Sequence, residues 1–438
     1  MSHDLVIRAR RAVLPTGEVP AAIFVRDGRI AAVGPVDAPA PDVPEVVLAP
    51  DEVLIPGAVD THVHVNEPGR TAWEGFDSAT RAARAGGVTT LIDMPLNSIP
   101  PTVSPAALEA KKAAAAGKTH VNVGFWGGAV PSNLGSLREL WGEGVFGFKC
   151  FLAPSGVDEF EHLSGGQLVR AMEEIAGFGG LLIVHAEDPE VLDAYDTAPG
   201  RDFGAFVATR PQAAETSAIE TVIAAMRETG ARAHILHLSA AAALPLIAEA
   251  KAEGLPLTVE TCPHYLTFDA EHVPDGATQY KCCPPIRSEE NRERLWEALA
   301  DGTIDFVASD HSPATADLKL AGDGDFGVAW GGIAGLQTSL AAVWTGARVR
   351  GYSLTEVMGW MSARPALWAG LGTKGAIAAG HDADLVAFAA EEPWEVHAGE
   401  LAHKNPVSAY DGHALAGRVR RVWIGGSEEA DGVMIARP

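Results

Sequence analysis

Four histidines, one lysine and one aspartate stand at or near the ends of apolar runs, and these side chains can hold divalent metal ions. They are His62 and His64 in VDTHVH, Lys149 in VFGFKCFL, His185 in LLIVHAE, His237 in HILHLS and Asp310 in FVASDHS. Imidazole nitrogen and carboxylate oxygen suit first-row divalent metals. His62 and His64 are two positions apart, so on a strand both rings face the same way and can chelate one ion. Asp60 shares that face and is expected to orient a ring from behind the metal.

Lys149 is the least ordinary of the six. Its immediate neighbours in VFGFKCFL are apolar. A buried ammonium is costly to desolvate, and its pKa falls. The neutral amine can add CO₂ to form a carbamate, an anion whose two oxygens can bridge two cations. Each residue also has a plainer reading. The HxH pair can be a satisfied polar pair, Lys149 can snorkel to a barrel mouth, and His185 and His237 can be satisfied core groups. Asp310 can cap the next helix or act as a general base. His264 in TCPHY either reaches substrate or fills the top of the fold. His234 is an odd number of residues from His237, falls on the opposite face, and reads as structural. A dinuclear site replaces the separate explanations for the six with one.

Bringing the six together requires several strand ends at one mouth. Strand-length apolar runs recur as LIPGAVDTHVH, TTLIDMPL, VNVGFWGGAV, GVFGFKCFL, LLIVHAE, AHILHLS, LTVETCPHY and DFVASDHS. Helical patterns such as SPAALEAKKAAAAG, SGGQLVRAMEEIAGFGG and NRERLWEALADG lie between most of them, often closed by Gly. Near-continuous apolar strands alternating with helices specify a parallel sheet covered on both faces. The expected class is α/β, a TIM-like (β/α)₈ barrel over residues 55–371, with its site at the C-terminal strand ends. Outside it, LVIRARRAVLP, AAIFVRDGRIAAVG, DADLVAFA and RVRRVWIGG are strand-rich, and Arg26-Asp27-Gly28-Arg29 reads as a hairpin turn. Residues 1–54 and 372–438 are expected to pair as one small β-sandwich domain.

Bulk properties exclude several functions. The 438 residues carry a net charge of −24 and show no basic stripe, which argues against nucleic-acid binding. MSHDLVIRARRAV lacks the apolar core of a secretory signal, and no apolar run is long enough to span a bilayer. Cys150, Cys262, Cys282 and Cys283 are too few for a disulfide framework; they read as buried thiols in a reducing cytoplasm.

In chain order, VDTHVHVNEPG, FKCF, VHAE, HLS, ETCPHYL, CCPPIR and ASDHSP resemble the amidohydrolase superfamily, and within it the cyclic amidohydrolases. LGTKGAIAAGHDADLV is similar to that group's return to its small domain. The resemblance implies that His62, His64 and Asp310 bind one divalent metal, His185 and His237 bind a second, and carboxylated Lys149 bridges them. It makes Asp310 the catalytic proton carrier. Zinc is the first expectation, with manganese, cobalt, nickel and iron open.

Dihydroorotases of this group typically place an arginine two positions after the second histidine of HxH, where it holds a substrate carboxylate. Here Asn66 stands there, which points to a neutral substrate. EPGRTAWEGF, DMPLNSIPPT, KCFLAPSGVDEF, SDHSPAT, AWGGIAGLQTSL and HKNPVSAYDGHALAGRV resemble the branch that opens a small cyclic ureide; hydantoinases and dihydropyrimidinases are the alternative. Asn66 and Asn97 are candidate substrate contacts, and by family analogy so are backbone groups near Cys283 and Gly331. Asn97 also reads as a turn residue before Pro100-Pro101. SGVDEF and AGDGDFGVAWGG are expected at the mouth as covers or connectors. Relatives are often tetramers, so a homo-oligomer is expected. A non-catalytic scaffold of this fold would lack some of the six ligands, and a mononuclear deaminase would not need Lys149.

Overall fold

The computed structural model describes residues 4–438, so the first three residues of the MSHDLVIRARRAV stretch lie outside the described residues. Eight strands form the central layer: β1 (Ala58–Val63), β2 (Val88–Asp93), β3 (Asn122–Phe125), β4 (Phe148–Phe151), β5 (Leu181–His185), β6 (Arg232–Ile235), β7 (Leu257–Thr261) and β8 (Phe306–Val307). The first five are buried along their whole length, as near-continuous apolar runs covered on both faces must be.

Neighbouring strands run parallel from β1 to β3 and from β4 to β8. Just beyond β3, Gly127–Gly128 continues the run and pairs in parallel with β4. Val63 forms a parallel bridge with His311, and the His64 N–H donates to the His311 carbonyl at 2.8 Å. That contact joins the first strand to the last and closes a (β/α)₈ barrel.

The outer helices follow from local chemistry. Pro105–Ala115 starts with Pro at N1 and with the Ser104 hydroxyl accepting from the Ala107 N–H. Gly165–Ala176 buries Leu168, Ala171, Met172 and Ile175, a stripe at helical spacing. Glu289–Asp301 has Ser288 as its N-cap and two acids in its first turn, and it ends on Gly302 at φ 88°, where the absent Cβ removes the steric penalty.

Both chain ends feed one seven-stranded sheet. Leu5–Leu14 pairs with Gly17–Arg26, which turns through Asp27 (φ 51°) and Gly28 (φ 74°) into Arg29–Gly34. The two positive φ angles are those of a type I′ hairpin. Val53–Pro56 lies between Leu5–Leu14 and Leu385–Glu395, so N-terminal and C-terminal strands share one ladder. No helix among the described residues is long and apolar enough to cross a membrane.

Candidate active site

The six side chains converge at the C-terminal mouth of the barrel. His62 is the penultimate residue of β1 and His64 follows the strand; Lys149 lies in β4, His185 closes β5, and His237 and Asp310 follow β6 and β8. His62 Nε2 and His64 Nε2 lie 3.1 and 3.3 Å from the same Asp310 oxygen. The His62 ring centroid is 5.5 Å from that of His64 and 5.4 Å from that of His237, and His185 is 4.6 Å from His237. Lys149 Nζ sits 4.9 Å from the Phe151 ring, which stacks on His185.

The backbone is bent to make this arrangement. Seven described non-glycine residues have positive φ, and four of them are Asn66, Asn97, His237 and Asp310. Such conformations are rare away from turns and concentrate at functional sites. His237 and Asp310, at 39° and 44°, turn their side chains into the mouth just beyond their strands.

Electrostatics favour a cation here. Burial would lower the His62 pKa, but the Asp310 and Glu260 carboxylates outweigh it and raise it to about 8. Burial would likewise raise Asp310, yet His62 and His64 hold it well below the usual carboxylate range. Burial pushes His64 down to about 3 and His237 well below its ordinary value. Lys149 falls to about 8, again through burial, which brings its neutral amine within reach near neutrality.

The donor set fits a divalent metal. One ligand atom each from His62, His237 and Asp310 all lie within 4.8 Å of one another. His64 Nδ1 and His237 Nδ1 are buried without a hydrogen-bond partner, and His62 Nε2 has only the Asp310 oxygen at 3.1 Å beside it. Unpaired buried nitrogens are expensive in a finished core, and metal ligation would satisfy them. Cys262 and His264 form a second such group with Asp310, but burial holds that thiol well above its ordinary pKa. His264 packs edge-on against Tyr265, and its Nε2 is unpartnered.

Two carboxylates that sequence reasoning missed orient the rings. Glu260 on β7 meets His62 Nδ1 at 2.5 Å and His234 Nε2 at 3.2 Å. Burial would raise its pKa, but His62 and His234 hold it at about 2. Glu187 meets His185 Nε2 at 2.7 Å and is itself held by Arg210 at 2.6 Å. The signals were a lone acid inside the apolar run LTVETCPHY and the acid two residues after His185. Asp60 does not have the role expected of it: its carboxylate accepts the main-chain N–H groups of His62 and Ser309 and, among the described residues, bonds to no imidazole. His234 bonds Thr258 and Glu260 and lies against Phe306 and Trp368, a structural setting.

A cavity of about 390 Å³ opens over five of the six, His64, Lys149, His185, His237 and Asp310, with His62 buried beneath it. Asn97, Arg210, Cys283, Trp330 and Gly331 are in its wall, with Ser155 and Gly156 from the SGVDEF loop. Asn66 is not among the lining residues; it is fully buried and donates to the Pro313 carbonyl at 3.2 Å. A larger hollow of about 740 Å³, between helix Phe76–Ala85 and strand Ala414–Trp423, contains none of the six.

The barrel and its convergent ligands define a class. The amidohydrolase family pattern matches residues 53–428, and the chain belongs to that family. Within it the chain groups with the allantoinases. Over 98% of its length it is 57% identical to the allantoinase of Streptomyces avermitilis, covering 96% of that protein. It is 43% identical to the allantoinase of Arabidopsis thaliana, over 98% of this chain and 88% of that one. Among solved structures, the L-hydantoinase (dihydropyrimidinase) of Arthrobacter aurescens aligns with a TM-score of 0.92 at 31% identity, covering 99% of this chain and 100% of that chain.

Proposed function

We propose that this chain opens the hydantoin ring of allantoin by hydrolysis, giving allantoate. The observation that carries the reaction class is the convergence of His64, His185, His237, Lys149 and Asp310 on one cavity, with His62 buried against Asp310 and His237 behind them; the substrate rests on the allantoinase relatives. His62, His64 and Asp310 would hold one divalent ion, His185 and His237 the second, and carboxylated Lys149 would join them. Such an ion pair, most simply zinc, supplies Lewis acidity and a nucleophilic water at neutral pH.

The chain's own residues do the rest. Asp310, held ionised, takes a proton from the attacking water and returns it to the ring nitrogen as the C–N bond breaks. The ring carbonyl carbon ends as a carboxylate and the nitrogen as a free ureido group. Glu260 and Glu187 set the tautomers of His62 and His185 through Nδ1 of the first ring and Nε2 of the second. Among the described residues, the main-chain N–H groups of Cys283 and Gly331 bond to no other main-chain group, which leaves donors for a neutral ureide. Asn97 adds a side-chain amide at the same wall.

We place the catalytic barrel at residues 55–371 and the small β-domain at 1–54 with 372–438. We further propose a cytoplasmic homotetramer. The likeness to the Arthrobacter hydantoinase supports a second reading, hydrolysis of simple hydantoins or dihydropyrimidines. A panel of allantoin, hydantoin, dihydrouracil and dihydroorotate on metal-loaded protein decides between them. Allantoin is expected to be the best substrate; a preference for dihydrouracil overturns the assignment and leaves the fold intact.

A further inference from the structure

Lys319 ends the short helix Ala316–Lys319 and is buried, with a relative exposure of 4%. Among the described residues no carboxylate pairs with it; its Nζ meets three main-chain carbonyls, those of Lys281 at 2.7 Å, Trp330 at 3.1 Å and Gly332 at 2.5 Å. An ammonium has three N–H donors, so each carbonyl has one. The carbonyls belong to two segments, 281–283 and 330–332, which the Gly332 N–H also ties to the Lys281 carbonyl at 2.9 Å.

Those segments face each other across the cavity wall. A Cβ built on Gly331 would lie 3.8 Å from Cys283 Sγ. Trp330 and Gly332, both bonded to Lys319, flank Gly331 on either side. Burying an ammonium without a counter-ion is expensive, and burial pulls this one down to about 7. A plug that only filled space would be served by methionine at no such cost. Arginine would bring a planar fork where three convergent donors are wanted.

We infer that Lys319 is a positioning residue: its three hydrogen bonds set the spacing of the two facing segments whose main-chain groups hold the substrate ring. This inference rests on the hydrolytic reading above. The function of Lys319 is geometric: it keeps the main-chain groups that bind the ring at their working spacing, so its loss weakens substrate binding.

The test uses Lys319→Met and Lys319→Ala in the metal-loaded full chain. Metal content is expected to stay at the wild-type level while KM for allantoin rises roughly 10- to 100-fold, with a smaller change in kcat. Amide hydrogen exchange should speed up together in 281–283 and 330–332. In Lys319→Ala, n-propylammonium should restore KM and exchange protection, whereas n-propanol, which fills the same space without the charge, should not. Wild-type KM and protection in Lys319→Met would overturn the inference, as would equal rescue by propanol. Should Lys319→Met not fold, the amine-against-alcohol comparison in Lys319→Ala decides. If the wild type does not open allantoin, the substrate assignment falls, and the exchange measurements still judge the clamp.

Discussion

Glu260 lies 2.5 Å from Nδ1 of His62, while Asp310 lies 3.1 Å from Nε2 of the same ring. One imidazole is thus held between two carboxylates from β7 and the end of β8, in a fully buried setting. The Glu260 side fixes which nitrogen carries the proton and leaves Nε2 free to ligate.

Glu260→Gln should therefore weaken metal binding by roughly 10- to 100-fold with the fold intact. The neutral amide no longer demands a proton on Nδ1. Metal competition with a chelator of known affinity reads the change directly, and unchanged affinity would show that the ring is oriented by packing alone.

Lys149→Ala should lose allantoin hydrolysis by roughly 10³-fold or more, because both a bridging anion and half of a two-metal clamp go with it. Steady-state kinetics with metal analysis checks this. Full activity in the variant would point instead to mononuclear, deaminase-like chemistry.

Stripping metal should abolish activity and lower the thermal midpoint, and returning a divalent ion should restore both. A ligand that binds only the native state at about 100 times its Kd stabilises by about 2.7 kcal/mol. Differential scanning calorimetry with and without chelator measures it; an identical midpoint would count against ligation by these groups.

Lys111 and Asp93 form an ion pair at 2.6 Å with no side-chain exposure on either partner. Asp93 also accepts the Val65 N–H, and Lys111 donates to the Met94 carbonyl, so the pair braces the loops that leave β1 and β2. Lys111→Met should destabilise by about 3–5 kcal/mol by stranding a buried carboxylate. Adding Asp93→Asn should recover part of that loss, since the stranded charge is gone. Denaturant midpoints of the two single variants and the double variant test it; additive losses would mean the two residues are not coupled.

Much of this protein was legible as residue types and periods. Runs such as LLIVH and VTTLID read as buried parallel strands because both their faces must be covered, and the alternation of VDTHVH placed His62 and His64 on one face. That same alternation placed Asp60 beside them and suggested a role it does not have. Its short carboxylate turned to nearby main-chain N–H groups instead, a local competition that period-two geometry does not reveal.

Sequence by itself offered the six candidate groups, the apolar strands that carry or precede them, and strand-rich segments at both termini. Only the tertiary structure decided which side chain stands behind each ring, because Glu260 and His62 are 198 residues apart and meet only when a ring of strands closes in register. The Val63–His311 bridge sets that closure. The Lys319 knot belongs to the same category: its three partners are main-chain carbonyls, which every residue has, so no residue type announces them.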